Sequence, residues 1–231
     1  MYLQQNRGIM KKYLELLTRT PLFRGIDASE LDGMLGCLNA SAQCYSKHGI
    51  VLLEGQPATR VGLLLSGTVQ VVKEDYLGNR MIMANFGTGD LFAEAFSCVQ
   101  SDRLPVTVIS LSDSEVLWLD YRRIYTACSS ACRFHTKLIE NMLALIATKN
   151  ILLSRKISVL AKRTTREKLI AYLSDEAELQ GNTAFDIPFN RQELADYLCV
   201  DRSALSSELS RMQREEILSY NLNHFILYTV R

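Results

Sequence analysis

The chain has 231 residues, with 26 Lys and Arg against 25 Asp and Glu and a formal net charge of +1. At 48% hydrophobic and 22% charged it has an ordinary globular composition, which excludes disordered, collagenous and low-complexity classes. The global charge points to no partner class, so any nucleic-acid surface has to be local.

The length allows one to two domains. No apolar run reaches the roughly 18 residues needed to span a bilayer. Met1 to Lys12 lacks a secretory apolar core and cleavage site. A cytoplasmic location is therefore expected, with no membrane partner. The cysteines Cys37, Cys44, Cys98, Cys128, Cys132 and Cys199 are scattered over a chain too large for a disulfide scaffold and read as thiols.

In chain order, residues 1–121 open with a short helical region carrying Leu14, Leu16, Leu17, Leu22 and Phe23. Asp27 with Glu30 three residues on reads as a helix N-cap and its partner. Short apolar runs follow at Ile50–Leu53, Val61–Leu65, Thr68–Val72, Met81–Met83, Val106–Ile109 and Val116–Leu119. Gly49, Gly55, Gly67, Gly78, Gly87 and Gly89 punctuate them. Many short strands at near-regular spacing predict an antiparallel roll or barrel.

Residues 122–162 contain no Pro or Gly and change to helical periodicity. Ile139, Leu143, Ile146, Asn150, Leu153, Ile157 and Leu160 are spaced 4-3-4-3-4-3, an a/d seam with one polar Asn at an a position. Leu138, Met142, Leu145 and Leu152 form a second stripe. One seam for a partner helix and one stripe for the roll is the simplest reading; a single wide buried face in a monomer is the alternative.

Residues 163–231 are mostly helical. Thr165–Leu173 is an amphipathic helix, Gln180–Thr183 a turn and Phe185–Pro188 a short extended segment. Two helices and a closing hairpin follow, with Ile217–Leu218 and Phe225–Val230 as its strands. Across the two helices Leu194, Leu198, Val200, Leu205, Leu209 and Met212 form a buried set, separated by the tight turn Cys199-Val200-Asp201. Asp201 is a good N-cap for the second helix. Helix, short turn, helix is the geometry that places a second helix in the DNA major groove. The exposed early positions are Arg202, Ser203, Ser206 and Ser207, which can meet base edges, while Arg191, Arg211 and Arg214 can reach phosphates. Gln192 joins this DNA-binding set. A two-helix hairpin with a solvated Ser-rich face also occurs in proteins that never touch DNA.

From end to end the chain resembles the Crp/Fnr family of bacterial transcription regulators. The matching segments are Pro21–Phe23, Gly55-Gln56, Leu65–Val69, Gly78–Arg80 and Gly89–Glu94, then Arg191–Leu198, Val200–Ser203 and Leu209–Met212 with the hairpin as a wing. The resemblance implies an α+β chain. Residues 1–121 would form a β-roll effector domain of the cyclic-nucleotide-binding kind, 122–162 a dimerisation helix, and 163–231 a winged helix-turn-helix. It places an effector pocket at Phe92, Glu94, Leu104, Pro105, Thr107 and Leu153. In cyclic-AMP-binding members an Arg-Ser pair grips the phosphate; Leu104-Pro105 stands there, and neither can donate to a phosphodiester. Glu94 matches the family's ribose-binding Glu, but Ala93 replaces the preceding Gly. Cyclic AMP is therefore not expected as effector. Cys199 falls where the family often has the turn Gly, so strained backbone is expected there. Ser207 stands where a base-reading Arg is common.

No N-terminal cysteine cluster precedes Cys37, so the iron–sulfur mode of oxygen-sensing members is not expected. Cys128 and Cys132, four apart, make a poor disulfide and an incomplete zinc site. His48, His135 and His224 are isolated. No metal and no cofactor is expected. No nucleophile–base pair or phosphate loop is visible, and Gly87-Thr-Gly89 is only a fragment of one, so an enzyme is the weaker reading. The expected function is a homodimeric regulator on a palindromic DNA operator, with RNA polymerase and a small-molecule effector as further candidate partners. The rivals are a thiol-based redox regulator and a ligand-binding module without DNA binding.

Overall fold

The computed structural model describes residues 2–99, 101–125 and 133–228. Cys128, Cys132 and the end of the last predicted strand, Thr229 and Val230, lie outside the described residues. The chain divides into two compact units, residues 1–78 with 83–149, and residues 79–82 with 150–231. The boundary between the two units falls inside the long helix.

The first unit begins with α1 (Tyr2–Arg19), a one-turn 3-10 helix (Pro21–Phe23) and α2 (Ala28–Cys37). Asp27 occupies the N-cap position of α2 with extended backbone, but its side chain makes no cap bond; its carbonyl accepts from Glu30 N–H at 2.9 Å instead. Then come β1 (Ser41–Tyr45), β2 (Ile50–Leu52), β3 (Arg60–Ser66), β4 (Thr68–Glu74), β5 (Arg80–Gly87), β6 (Leu91–Phe92), α3 (Glu94–Cys98), β7 (Thr107–Ser110), β8 (Ser114–Asp120) and α4 (Tyr121–Tyr125). Two four-stranded sheets result, ordered β1-β8-β3-β6 and β2-β7-β4-β5.

Side-chain alternation assigns the two faces of the first sheet. Leu63 pairs with Leu117 and Val61 with Leu119. These join Leu17, Leu22, Phe23, Leu31 and Leu35 in a core under the helices. Gly62 pairs with Trp118 and Leu64 with Val116. These face the roll interior with Val51, Val69, Phe92 and Val108. Because β3 is buried on both faces, its sequence is a continuous apolar run. Gly62 is required by close approach: a Cβ there would lie 2.4 Å from the Phe92 ring.

The helix α5 (Arg133–Leu160) follows. Asn141 fixes its start by donating to the Leu22 and Arg24 carbonyls at 2.9 and 2.8 Å. Leu138 and Met142 are buried in the helix-side core and Leu145 packs against it. Leu152, expected on the same stripe, is 48% exposed. The stripe continues instead through Lys149 and buried Lys156, which the apolar pattern did not mark. The seam residues Leu143, Ile146, Asn150, Leu153 and Ile157 are exposed, and Ile139 and Leu160 half-buried.

The second unit carries α6 (Thr165–Gln180), β9 (Ala184–Asp186), α7 (Arg191–Leu198), α8 (Arg202–Arg214), β10 (Leu218–Asn221) and β11 (His224–Leu227). A capping box between Thr164 and Glu167 starts α6. The strands order β10-β11-β9, all antiparallel.

Candidate DNA interface and ligand cleft

Asn190 starts α7. Its side chain accepts from the Gln192 and Glu193 N–H groups at 2.9 and 3.0 Å, and Glu193 reaches back to the Asn190 N–H at 2.8 Å. The helix ends at Cys199 in the left-handed region, φ 52° and ψ 56°, as its place in the turn led us to expect. Lys168 steadies this turn by donating to the Leu198 and Cys199 carbonyls at 3.1 and 3.4 Å. An ammonium at a helix C-terminus also complements the helix dipole. Val200 is half-buried; the other five residues of the expected apolar set are buried. Asp201 caps α8, accepting from the Ser203 hydroxyl and from the Ser203 and Ala204 N–H groups at 2.8 and 3.0 Å. The Ser203 hydroxyl first, then these amides, holds the Asp201 carboxyl below its ordinary range.

Leu205, Leu209 and Met212 bury one face of α8. Arg202, Ser203, Ser207 and Ser210 are exposed and Ser206 is half-buried. The carboxylates nearest in sequence to Arg202 are engaged elsewhere: Asp201 with Ser203, and Glu208 with Arg166 at 3.1 Å. Arg211 is exposed and pairs with Glu215 at 3.0 Å, and Glu215 also holds Arg166.

Besides Ser203 and Arg211, two further members of the predicted DNA-binding set have other engagements. Arg191, expected at phosphate, is half-buried, lies 4.8 Å over the Tyr220 ring and 5.9 Å from that of Phe225, and donates to the Leu222 carbonyl at 3.4 Å. Burial lowers its pKa. It braces α7 against the wing, because a guanidinium stacks well on aromatic faces. The Gln192 amide is held by Asp196 at 2.8 Å.

In the first unit the predicted pocket residues do not line one open cavity. Phe92 is fully buried, edge-on to Trp118 at 5.6 Å and stacked with Phe86 at 6.3 Å. Leu104 is buried and Pro105 exposed. The Thr107 hydroxyl accepts from Glu54 N–H at 3.2 Å. Leu153 belongs to the other unit and is 50% exposed. Glu94 is 6% exposed and follows Ala93, whose φ is +64°. Its Oε1 lies 2.8 Å from Lys149 Nζ, which also donates to the Leu91 carbonyl and sits 4.5 Å over the Phe86 ring. Phe86 and Lys149 carry no mark in the sequence pattern and were not among the expected site residues.

In the second unit, Lys156 Nζ donates to the Ile82 carbonyl at 2.5 Å and lies 3.9 Å over the Tyr197 ring. Burial lowers its pKa to about 8. Among the described residues no group of three His, Cys, Asp or Glu is placed to hold a metal. Among them, too, no helix is long and apolar enough to cross a membrane.

A β-roll followed by a long helix and a helix-turn-helix with a wing defines a DNA-binding regulator with a sensory domain. Residues 42–131 match the family model of the cyclic nucleotide-binding domain, and residues 167–229 that of the Crp-like helix-turn-helix domain. The chain belongs to the Crp/Fnr family of transcription regulators. It is similar to the CRP-like protein Clp of Xanthomonas euvesicatoria, 21% identical over 89% of this chain and 91% of Clp. Among solved structures it resembles the c-di-GMP-responsive global regulator CLP of Xanthomonas campestris. That match has a TM-score of 0.71 at 20% identity and covers 88% of this chain and 100% of that one. It also resembles a CooA mutant from Carboxydothermus hydrogenoformans, with a TM-score of 0.68 at 22% identity over 85% and 86%. The family is one of transcription regulators and not of enzymes, so the enzyme reading is set aside.

Proposed function

We propose that the chain works as a homodimer on a two-fold symmetric operator, regulated through its β-roll by a signal other than cyclic AMP. Residues 1–121 carry the sensing role, 122–162 the dimer seam and 163–231 the DNA contacts. The observation that carries the DNA reading is the outer face of α8, where Arg202, Ser203, Ser207 and Ser210 stand exposed on a helix whose opposite face is locked in the core. Arg202 lies one residue after the N-cap, at the helix end that enters a major groove.

The dimer reading rests on α5. Leu143, Leu153 and Ile157 are 63%, 50% and 58% exposed on one heptad-spaced face, with Asn150 among them. Water does not favour such a row, and a second copy covers it by two-fold symmetry with Asn150 fixing the register. A two-fold dimer presents its recognition helices about one helical turn apart, 34–36 Å, so the half-sites share that spacing.

Selection of binding sites from random duplexes with Arg202→Ala and Arg211→Ala tests this reading. Arg202→Ala is expected to flatten the preference at one base pair per half-site, a loss of about 1–3 kcal/mol against the wrong base. Arg211→Ala is expected to weaken all sequences alike and to lower the salt slope by about one unit. If Arg202→Ala keeps the preferred sequence and only weakens binding, Arg202 is a phosphate clamp and not a reader.

A further inference from the structure

A buried carboxylate of the first unit takes a lysine of the long helix as its partner. Lys149 Nζ meets the Glu94 carboxylate at 2.8 Å, the Leu91 carbonyl, and the face of Phe86 at 4.5 Å. An ammonium has three N–H donors, and a carboxylate, a carbonyl and an aromatic face are the three kinds of partner it takes. Glu94 needs this cation, since a buried carboxylate without one is costly. Its other oxygen, Oε2, is buried with no hydrogen-bond partner among the described residues, so the contact with Lys149 is its side-chain ion pair there. The position of Lys149 is set by α5: it follows Leu138, Met142 and Leu145 on the stripe that packs on the helix-side core. Ala93 in the left-handed region precedes Glu94, and a non-Gly residue held there is a strain that functional sites retain.

We propose that Glu94, Phe86 and the Leu91 carbonyl form an ammonium cage occupied by the chain's own Lys149. The β-roll thereby takes its liganded arrangement, and the regulator binds DNA, without a diffusible activator. Removing the Lys149 side chain leaves a site for a small primary alkylammonium ion. The part concerning DNA rests on the function proposed above; the cage itself does not.

Lys149→Ala keeps Cβ and removes three carbons and the ammonium, so n-propylammonium is the matching probe. The full chain and its Lys149→Ala, Lys149→Met and Lys149→Ala/Glu94→Gln variants are titrated with n-propylammonium chloride at constant ionic strength. Thermal unfolding and operator binding are read separately. Lys149→Ala is expected to melt several degrees lower. It should bind operator about tenfold more weakly, the effect of a part-buried ion pair discounted for solvent. n-Propylammonium should raise its Tm saturably and restore operator affinity, while leaving the parent chain unchanged. Lys149→Met, which keeps an apolar stem in the site, should show the loss without the rescue. The double variant should not respond, and neither 1-propanol nor tetramethylammonium should rescue Lys149→Ala. A folded Lys149→Ala that gains no more from n-propylammonium than from 1-propanol overturns the cage. A Lys149→Ala that binds operator as tightly as the parent overturns its link to DNA. A parent chain that binds no DNA overturns the DNA reading alone, and the melting data still decide the cage.

Discussion

The helix-turn-helix and the β-roll dispose of their polar side chains in opposite ways. On α8, Ser207 and Arg202 are exposed, while Ser210 donates to the Ser206 carbonyl and Glu208 and Asp201 are engaged by other groups. In the first unit, Glu94 and Lys149 are turned on each other, Lys149 lies over Phe86, and Phe86 stacks with Phe92. A polar group with an internal partner holds shape; one left facing solvent is available for recognition. The resemblance to nucleotide-binding domains directs attention to the roll as the ligand site, yet it is the α8 face that the fold leaves open.

The same contrast runs along α5. Lys149 and Lys156 stand one heptad apart, in separate compact units. Lys149 has a carboxylate among its partners. The partners of Lys156 include a carbonyl and a tyrosine ring, and burial lowers its pKa to about 8. On the outer side of the helix, Leu143, Leu153 and Ile157 lie uncovered in a single chain.

The largest effect is expected where that outer row is broken. In the proposed dimer, Leu143→Glu would set two like charges against each other in a dry seam, at a cost of several kcal/mol. Sedimentation velocity should show a monomer, and operator binding should be lost. An unchanged dimer would return the row to an ordinary exposed face.

A smaller effect sharpens the comparison of the two lysines. The native pKa of Lys156, about 8, lies below its ordinary value of 10.5. Between those values the unfolded chain holds a proton that the native chain lacks, so this group's contribution to stability rises with pH from about 8 towards 10.5. Below pH 8 the buried site bears the cost of the charge. Lys156→Met should therefore raise Tm near pH 7 and remove that rise. Melting curves of both proteins from pH 7 to 10 check it; parallel pH profiles would show that Lys156 is not held in a charge-disfavouring site.

Most of the architecture was legible because burial leaves periodic marks. β3, β4, β7 and β8 are apolar runs, α5 is a heptad pattern without Pro or Gly, and Cys199 and Asp201 mark the turn and cap of the helix pair. β1 was not legible: Ser41-Ala-Gln-Cys-Tyr45 is an edge strand with few apolar residues. β6, at two residues, is too short to show a period. Asp27 was read as a side-chain cap and caps only through its backbone. The site residues divide similarly. The exposed serines and Arg202 follow from helical geometry. Arg191 was read as a phosphate contact because its stacking on Tyr220 joins residues far apart in sequence. Lys149 and Lys156 escaped notice because a lysine on a helix is read as solvated, and its burial depends on a carbonyl, a ring or a carboxylate brought from elsewhere in the fold.

The proposed DNA face and the proposed self-occupied roll are tested most directly by operator binding with all small molecules removed. The full chain is unfolded, dialysed, refolded and titrated onto a selected operator by fluorescence anisotropy, with and without cyclic AMP. The expected result is specific binding with Kd of about 10⁻⁸ M or tighter at physiological salt, unchanged by cyclic AMP. Specific binding that emerges only once a nucleotide is added would contradict it.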